Sequence, residues 1–139
     1  MFLLDTNVVS ELRKARAGKA NRGVSDWAGG VPAALMFVSV VSLHELEHDV
    51  LLAERKVPKK GAVLRAWLND SVVPAFVDRI LPVDTETALR SAALHVPNPA
   101  PLRDAFIAAT APVHGMTVVT RNNKDFDRFE DLGVLNPWT

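Results

Sequence analysis

The sequence predicts an α/β fold: a parallel sheet covered on both faces by helices. Short apolar runs of strand length recur at Phe2–Leu4, Ala33–Ser39, Arg79–Pro82 and Met116–Thr120. Between them lie longer stretches whose apolar residues fall at helical spacing. That alternation is the pattern of a parallel sheet with helices on either side. At 139 residues the chain has the length of one domain, 1–139. It is long enough to bury a core without disulfides or other staples.

The elements follow in order. Phe2 to Leu4 stops at Asp5, and Thr6 to Leu12 reads as a helix. A basic loop containing Gly18 leads to a short helix around Trp27 that Gly29 and Gly30 end. Ala33 to Ser39 has the length and bounding turn residues of a buried strand. Ser42 opens a helix with Leu43, Leu46, Val50 and Leu51 on one face, and Pro58 interrupts it. Val63, Leu64, Trp67, Leu68 and Val72 mark a further helix. Arg79 to Pro82 forms the third strand, and Asp84 or Thr85 caps a helix to His95. Pro101 starts the helix Leu102–His114, which Gly115 terminates in a left-handed conformation. Pro112 should kink that helix near its end. Met116 to Thr120 is a strand, followed by a short helix over Asp125–Phe129 and a last strand near Val134. No repeat, low-complexity tract or interdomain linker interrupts the chain.

Composition narrows the chemistry. Without cysteine there is no disulfide, thiolate metal site or cysteine nucleophile. That suits a reducing cytoplasm. No basic leader followed by an apolar stretch opens the chain, so no secretory signal is expected. The longest apolar run, Val31 to Val41, is broken by Pro32 and Ser39 and falls short of the ~20 residues of a spanning helix. No association with a membrane is expected. Net charge is zero, yet Arg13, Lys14, Arg16, Lys19 and Arg22 cluster without an intervening acid. Such a run can track a phosphate backbone, although a solvated helix end and loop would look the same. Arg55, Lys56, Lys59 and Lys60 make a second cluster.

In parallel sheets, ligands bind beyond the carboxyl ends of the strands. Asp5 follows the first strand directly, Glu45 lies in the first turn after the second, and Asp125 follows the MTVVT strand by five residues. Asp104 sits in the opening turn of the helix leading into that strand. Each acid has an ordinary explanation as a helix cap or first-turn acid. Ser42-Leu43-His44-Glu45 in particular reads as a capping box. Independent caps, however, have no reason to share one edge. Two carboxylates 4 Å apart repel by roughly 1 kcal/mol in water and about 4 kcal/mol at an effective dielectric of 20. A cluster must therefore take up protons or bind cations. Oxygen-only ligation selects magnesium or manganese over zinc. Such ions suit phosphodiester hydrolysis.

Four blocks, LLDTNVVSEL, SVVSLHELEHDV, LRDAFIAATAPVHGMTVVTRNNKDF and LNPW, resemble PIN-domain toxins of the VapC kind, in the same order over nearly the whole chain. The resemblance implies a PIN-like fold, a twisted parallel sheet between helices, and a magnesium- or manganese-dependent endoribonuclease. By motif it implies that Asp5 and Asp104 bind metal most directly, with Glu45 and Asp125 acting directly or through water. Thr6, Thr120 and Asn122 match small polar positions that orient the pocket. It further implies RNA as substrate, a VapB-like antitoxin as partner, a homodimer, and cleavage leaving 3′-hydroxyl and 5′-phosphate ends. Arg103 departs from the pattern, standing beside Asp104 where an apolar residue is more usual; it would contact RNA or pair with a neighbouring acid.

Two rivals come from different classes. His44-Glu45-Leu46-Glu47-His48 satisfies H-E-x-x-H, a zinc-protease signature on a helix. No third ligand is distinctively placed, and three other acids would go unexplained. The second is a PIN module that holds RNA or protein without cutting. The presence of all four acids argues against it.

Overall fold

A computed structural model describes all 139 residues. Five strands form one parallel sheet: β1 (Phe2–Leu4), β2 (Met36–Ser39), β3 (Ile80–Leu81), β4 (Thr117–Val119) and β5 (Val134–Leu135). Their spatial order is β3-β2-β1-β4-β5, with every neighbouring pair parallel. Phe2 aligns with Met36 on one side and with Thr117 on the other. The chain thus builds outward from β1 to β3, then returns and builds the other way through β4 and β5. The reversal lies between β1 and β4, which is where a doubly wound sheet opens a crevice at its strand ends.

The helices are α1 (Thr6–Leu12), α2 (Arg22–Gly29), α3 (Val40–Lys56), α4 (Pro58–Trp67), the single turn α5 (Val73–Ala75), α6 (Thr85–Ala93) and α7 (Leu102–Val113). Strand side chains alternate between faces, so adjacent residues feed different cores. Leu4, Met36, Val38 and Val119 pack with Val8 and Val9 of α1 and Leu46 and Val50 of α3. Leu3 and Val118 instead pack with Ile107, Ala108 and Ala111 of α7 and with Phe126 and Phe129. A three-residue strand therefore anchors both cores. No helix is long and apolar enough to cross a membrane.

Several boundaries differ from the sequence reading. Residues 33–35 form a 3-10 turn, closed by the Leu35 amide on the Pro32 carbonyl, so the strand begins only at Met36. α3 begins at Val40, because the Ser39 hydroxyl accepts from the Val41 amide and caps the helix. The expected capping box at Ser42 is therefore absent. Ser42 is buried within α3, and Glu45 lies in its second turn. Leu51 and Val63 prove exposed, at 54% and 63%. Leu68–Val72 winds as a π-helical turn, and Asn123–Phe126 is a 3-10 turn in place of a helix over 125–129.

The cap of α6 and the terminator of α7 are as expected. Asp84 caps α6 by accepting from the Thr87 amide, and Gly115 (φ 66°) ends α7 in the left-handed region. α7 runs past Pro112 and stops one residue later. Gly61 lets α4 lie against α3, for a Cβ there would stand 2.3 Å from the Glu54 Cα.

Candidate active site

Asp5 ends β1 and begins α1. Its amide donates to the Val119 carbonyl of β4 at 2.9 Å, and one carboxylate oxygen caps α1 by accepting from the Thr6 amide at 2.8 Å. The second oxygen accepts from the Thr120 hydroxyl at 2.7 Å. Both Asp5 and Thr120 are buried. Thr120 follows β4 directly and accepts in turn from the Asn122 amide at 3.0 Å and from the Asn7 side chain at 3.4 Å. Thr6 turns its hydroxyl to Glu45 of α3, donating at 2.7 Å. The carboxylates of Asp5 and Glu45 are thus each held by a hydroxyl, and that of Thr120 is fixed by partners of its own.

Arg103, in the first turn of α7, enters the centre of this group. Its guanidinium donates to Glu45 through Nε at 2.7 Å, to Asp104 through Nη1 at 2.9 Å, and to Asp5 through Nη2. One cation therefore meets three acids drawn from β1, α3 and α7. Burial works against the charge on Arg103, but Asp5 and Glu45 outweigh it and hold the guanidinium above its ordinary pKa. Asp104 shows the complementary effect. Burial pushes its pKa up, Arg103 opposes the rise, and the negative charges of Asp125 and Asp5 add to it.

The group floors an open cavity of about 630 Å³. Thr6, Asn7, Glu45, Asp49, Arg103, Asp104, Asn122 and Asp125 line it, with Arg13, Lys14 and Arg121 also on its wall. Asp5, 1% exposed, does not line the cavity itself and joins it through its ion pair with Arg103. Asp125 shares the cavity but makes no side-chain contact with Arg103. No three acid or histidine side chains stand ready to share an ion without adjustment. The Arg103 guanidinium stands among three of the carboxylates instead. Their donor chemistry nonetheless fits a hard divalent cation, since all are carboxylate oxygens and hydroxyls support two of them.

The structure thus gathers Asp5, Glu45 and Asp104 at one point and puts Asp125 on the same cavity. Of the small polar residues, Thr6 and Thr120 touch carboxylates directly, whereas Asn122 contributes its backbone amide. The basic run divides. Lys14 reaches the cavity wall, Arg13 lines both this cavity and a second groove, and Arg16 lines only that second groove with Trp67. Arg22 pairs loosely with Asp26 at 3.7 Å, and Lys19 lines neither cavity. His44 and His48 project from α3 into solvent with ring centroids 6.5 Å apart. Glu45 turns away from them toward Thr6 and Arg103, and no third ligand joins the pair.

Sequence reasoning overlooked Asn7, which also accepts from the Arg121 amide at 3.2 Å and so ties the start of α1 to the loop after β4. Its place directly after Thr6 was a usable signal. Asp49 was overlooked too, although it lies one helical turn beyond Glu45 and so must share its face.

Known proteins share this arrangement of sheet and helices. A family model described as PIN domain matches residues 2–132. The chain is 36% identical over 143 residues to Toxin FitB of Neisseria gonorrhoeae, covering 99% of both proteins. It is 32% identical to VapC ribonuclease Y4jK of Sinorhizobium fredii, covering 99% of this chain and 98% of that protein. Among solved structures, FitAcB from Neisseria gonorrhoeae superposes with a TM-score of 0.87 at 34% identity, covering 99% of both chains. FitAB bound to an IR36 DNA fragment superposes with the same TM-score at 33% identity, covering 100% of this chain and 96% of that one. With a family match across nearly its full length and relatives this similar over theirs, the chain belongs to the PIN-domain family.

Proposed function

We propose that this chain is a divalent-metal-dependent endoribonuclease, the toxin half of a toxin–antitoxin pair. One observation carries the reading: Asp5, Glu45 and Asp104, from three distant segments, surround a single point of positive charge at the switch point of a parallel sheet. The names of its relatives, a VapC ribonuclease and a toxin, support the same activity. An oxygen-only pocket suits magnesium or manganese. Such an ion, when bound, would activate water for attack on a phosphodiester and neutralise charge on the departing oxygen.

The residues of the chain then have distinct tasks. Asp5 and Asp104, the buried carboxylates, would hold the ion most directly, and Glu45 and Asp125 directly or through water. Thr120 and Thr6 keep Asp5 and Glu45 aimed, with the Asn122 amide steadying Thr120. Arg13, Lys14 and Arg121 on the cavity wall would meet RNA phosphates; Arg16, Lys19 and Arg22 would serve only a strand that runs further. A VapB-like antitoxin would restrain the enzyme in the cytoplasm, and a second copy of the chain would complete a dimer. The domain would span residues 1–139.

Purified protein incubated with RNA and manganese should yield fragments with 5′-phosphate and 3′-hydroxyl ends, and a chelator should stop the reaction. Asp5→Asn and Asp104→Asn should stay folded and lose cleavage to background, because asparagine keeps a cap acceptor but little affinity for the ion. RNA that is bound yet intact under every metal condition would replace the enzyme with a binding module. Cleavage lost on alanine substitution of both His44 and His48 would point back to those histidines.

A further inference from the structure

Arg103 has the position of a resident cation. Its guanidinium makes three charge-assisted contacts, one to each of Asp5, Glu45 and Asp104. These acids are the ones that would hold a divalent ion, so both cations cannot be served at once. The side chain has room to move: it is 31% exposed, Arg103 also lines a second, apolar cavity of about 490 Å³ beside Val40, Val41 and Phe106, and Asp49 offers a further acid on the wall of the acidic cavity.

We propose that Arg103 is an internal competitor for the metal site, which a divalent ion must displace before the pocket is loaded. The inference rests on the reading of the acids as a metal site and adds a built-in threshold to it. Without metal, the guanidinium neutralises part of the acid cluster and keeps the fold from bearing its repulsion. With metal, the side chain swings toward the cavity mouth, where phosphates of a bound strand would receive it. Arg103 is thus a positioning residue that sets how much free metal is needed for occupancy. If the withdrawn state makes up ~10% of the metal-free protein or less, apparent affinity falls by that fraction, about tenfold or more.

The test is calorimetric titration of manganese into the wild type, Arg103→Ala and Arg103→Lys, with folding checked by circular dichroism. Arg103→Ala should bind manganese about tenfold tighter or more, and Arg103→Lys should fall between, since lysine keeps the charge but not the three-way fork. Magnesium titrated into nitrogen-15-labelled wild type should also move the Arg103 Nε resonance, a readout independent of any variant. Equal or weaker manganese binding by a folded Arg103→Ala overturns the competitor while leaving the acidic metal site intact. Absence of binding by wild type and both variants overturns the metal site and the competitor together. Binding by Arg103→Ala alone supports both.

Discussion

At the residue scale the site depends on hydroxyls as much as on acids. Thr120 donates to the buried oxygen of Asp5 and accepts from the Asn122 amide, so one hydroxyl orients a carboxylate and closes the loop after β4. Valine has nearly the same shape but takes this partner from the Asp5 oxygen, the Asn122 amide and the Asn7 side chain. Thr120→Val should destabilise the protein by ~1–3 kcal/mol, the usual cost of stranding buried polar groups. It should also lower cleavage about 10- to 100-fold, as loss of support behind a metal ligand does. Thr120→Ser should recover most of both. Melting curves and single-turnover cleavage would check this, and a Thr120→Val protein equal to wild type in both would remove the support role. The same scale shows why the cap reading of Asp5 and the site reading do not compete: Oδ1 accepts from both the Thr6 amide and Arg103, and Oδ2 accepts from Thr120.

At the element scale the chief question is where α3 starts, because that sets how Glu45 is presented. The sequence offers two serines, and pattern alone favoured Ser42 with Glu45 three residues on. The structure uses Ser39, since the strand ends there in extended backbone and the first helical amides follow at once. Glu45 is thereby freed from capping and faces Thr6. Ser39→Ala should cost about 0.5–2 kcal/mol of stability, whereas Ser42→Ala should lose no cap. Denaturant unfolding of the two variants separates them, and a larger loss for Ser42→Ala would place the helix start where the capping-box reading had it. The weaker boundary readings share one cause. Residues 33–35 and the segment after Asn123 are apolar or helix-like in composition, but short turns there are decided by local hydrogen bonds that composition does not specify.

At the scale of the whole molecule the site exists only because the sheet reverses direction beside β1. Asp5 and Thr120 come from adjacent central strands, Glu45 from one face of the sheet and Asp104 from the other. An unfolded chain has no such cluster, so a metal held by these acids would bind only the folded state and stabilise it by mass action. At a hundredfold excess over the dissociation constant this amounts to ~2.7 kcal/mol. Manganese should therefore raise the melting temperature of the wild type, and the rise should vanish in Asp5→Asn and Asp104→Asn. An equal rise in those variants would move the ion elsewhere, with His44 and His48 the next place to look.

The linear order of residues was enough to predict the alternation of strands and helices and the strand-end edge for Asp5, Glu45 and Asp125, while Asp104 depended on where its helix starts. Those features follow from local periodicity and from a topological rule that needs no coordinates. Only the folded chain decided that Arg103 sits among three of the acids, that Glu45 answers to Thr6, and that the basic run divides between two cavities. The physical reason is range. Hydrophobic spacing and capping act over a few residues, while charge pairing across the sheet depends on side-chain directions that arise once both cores have packed.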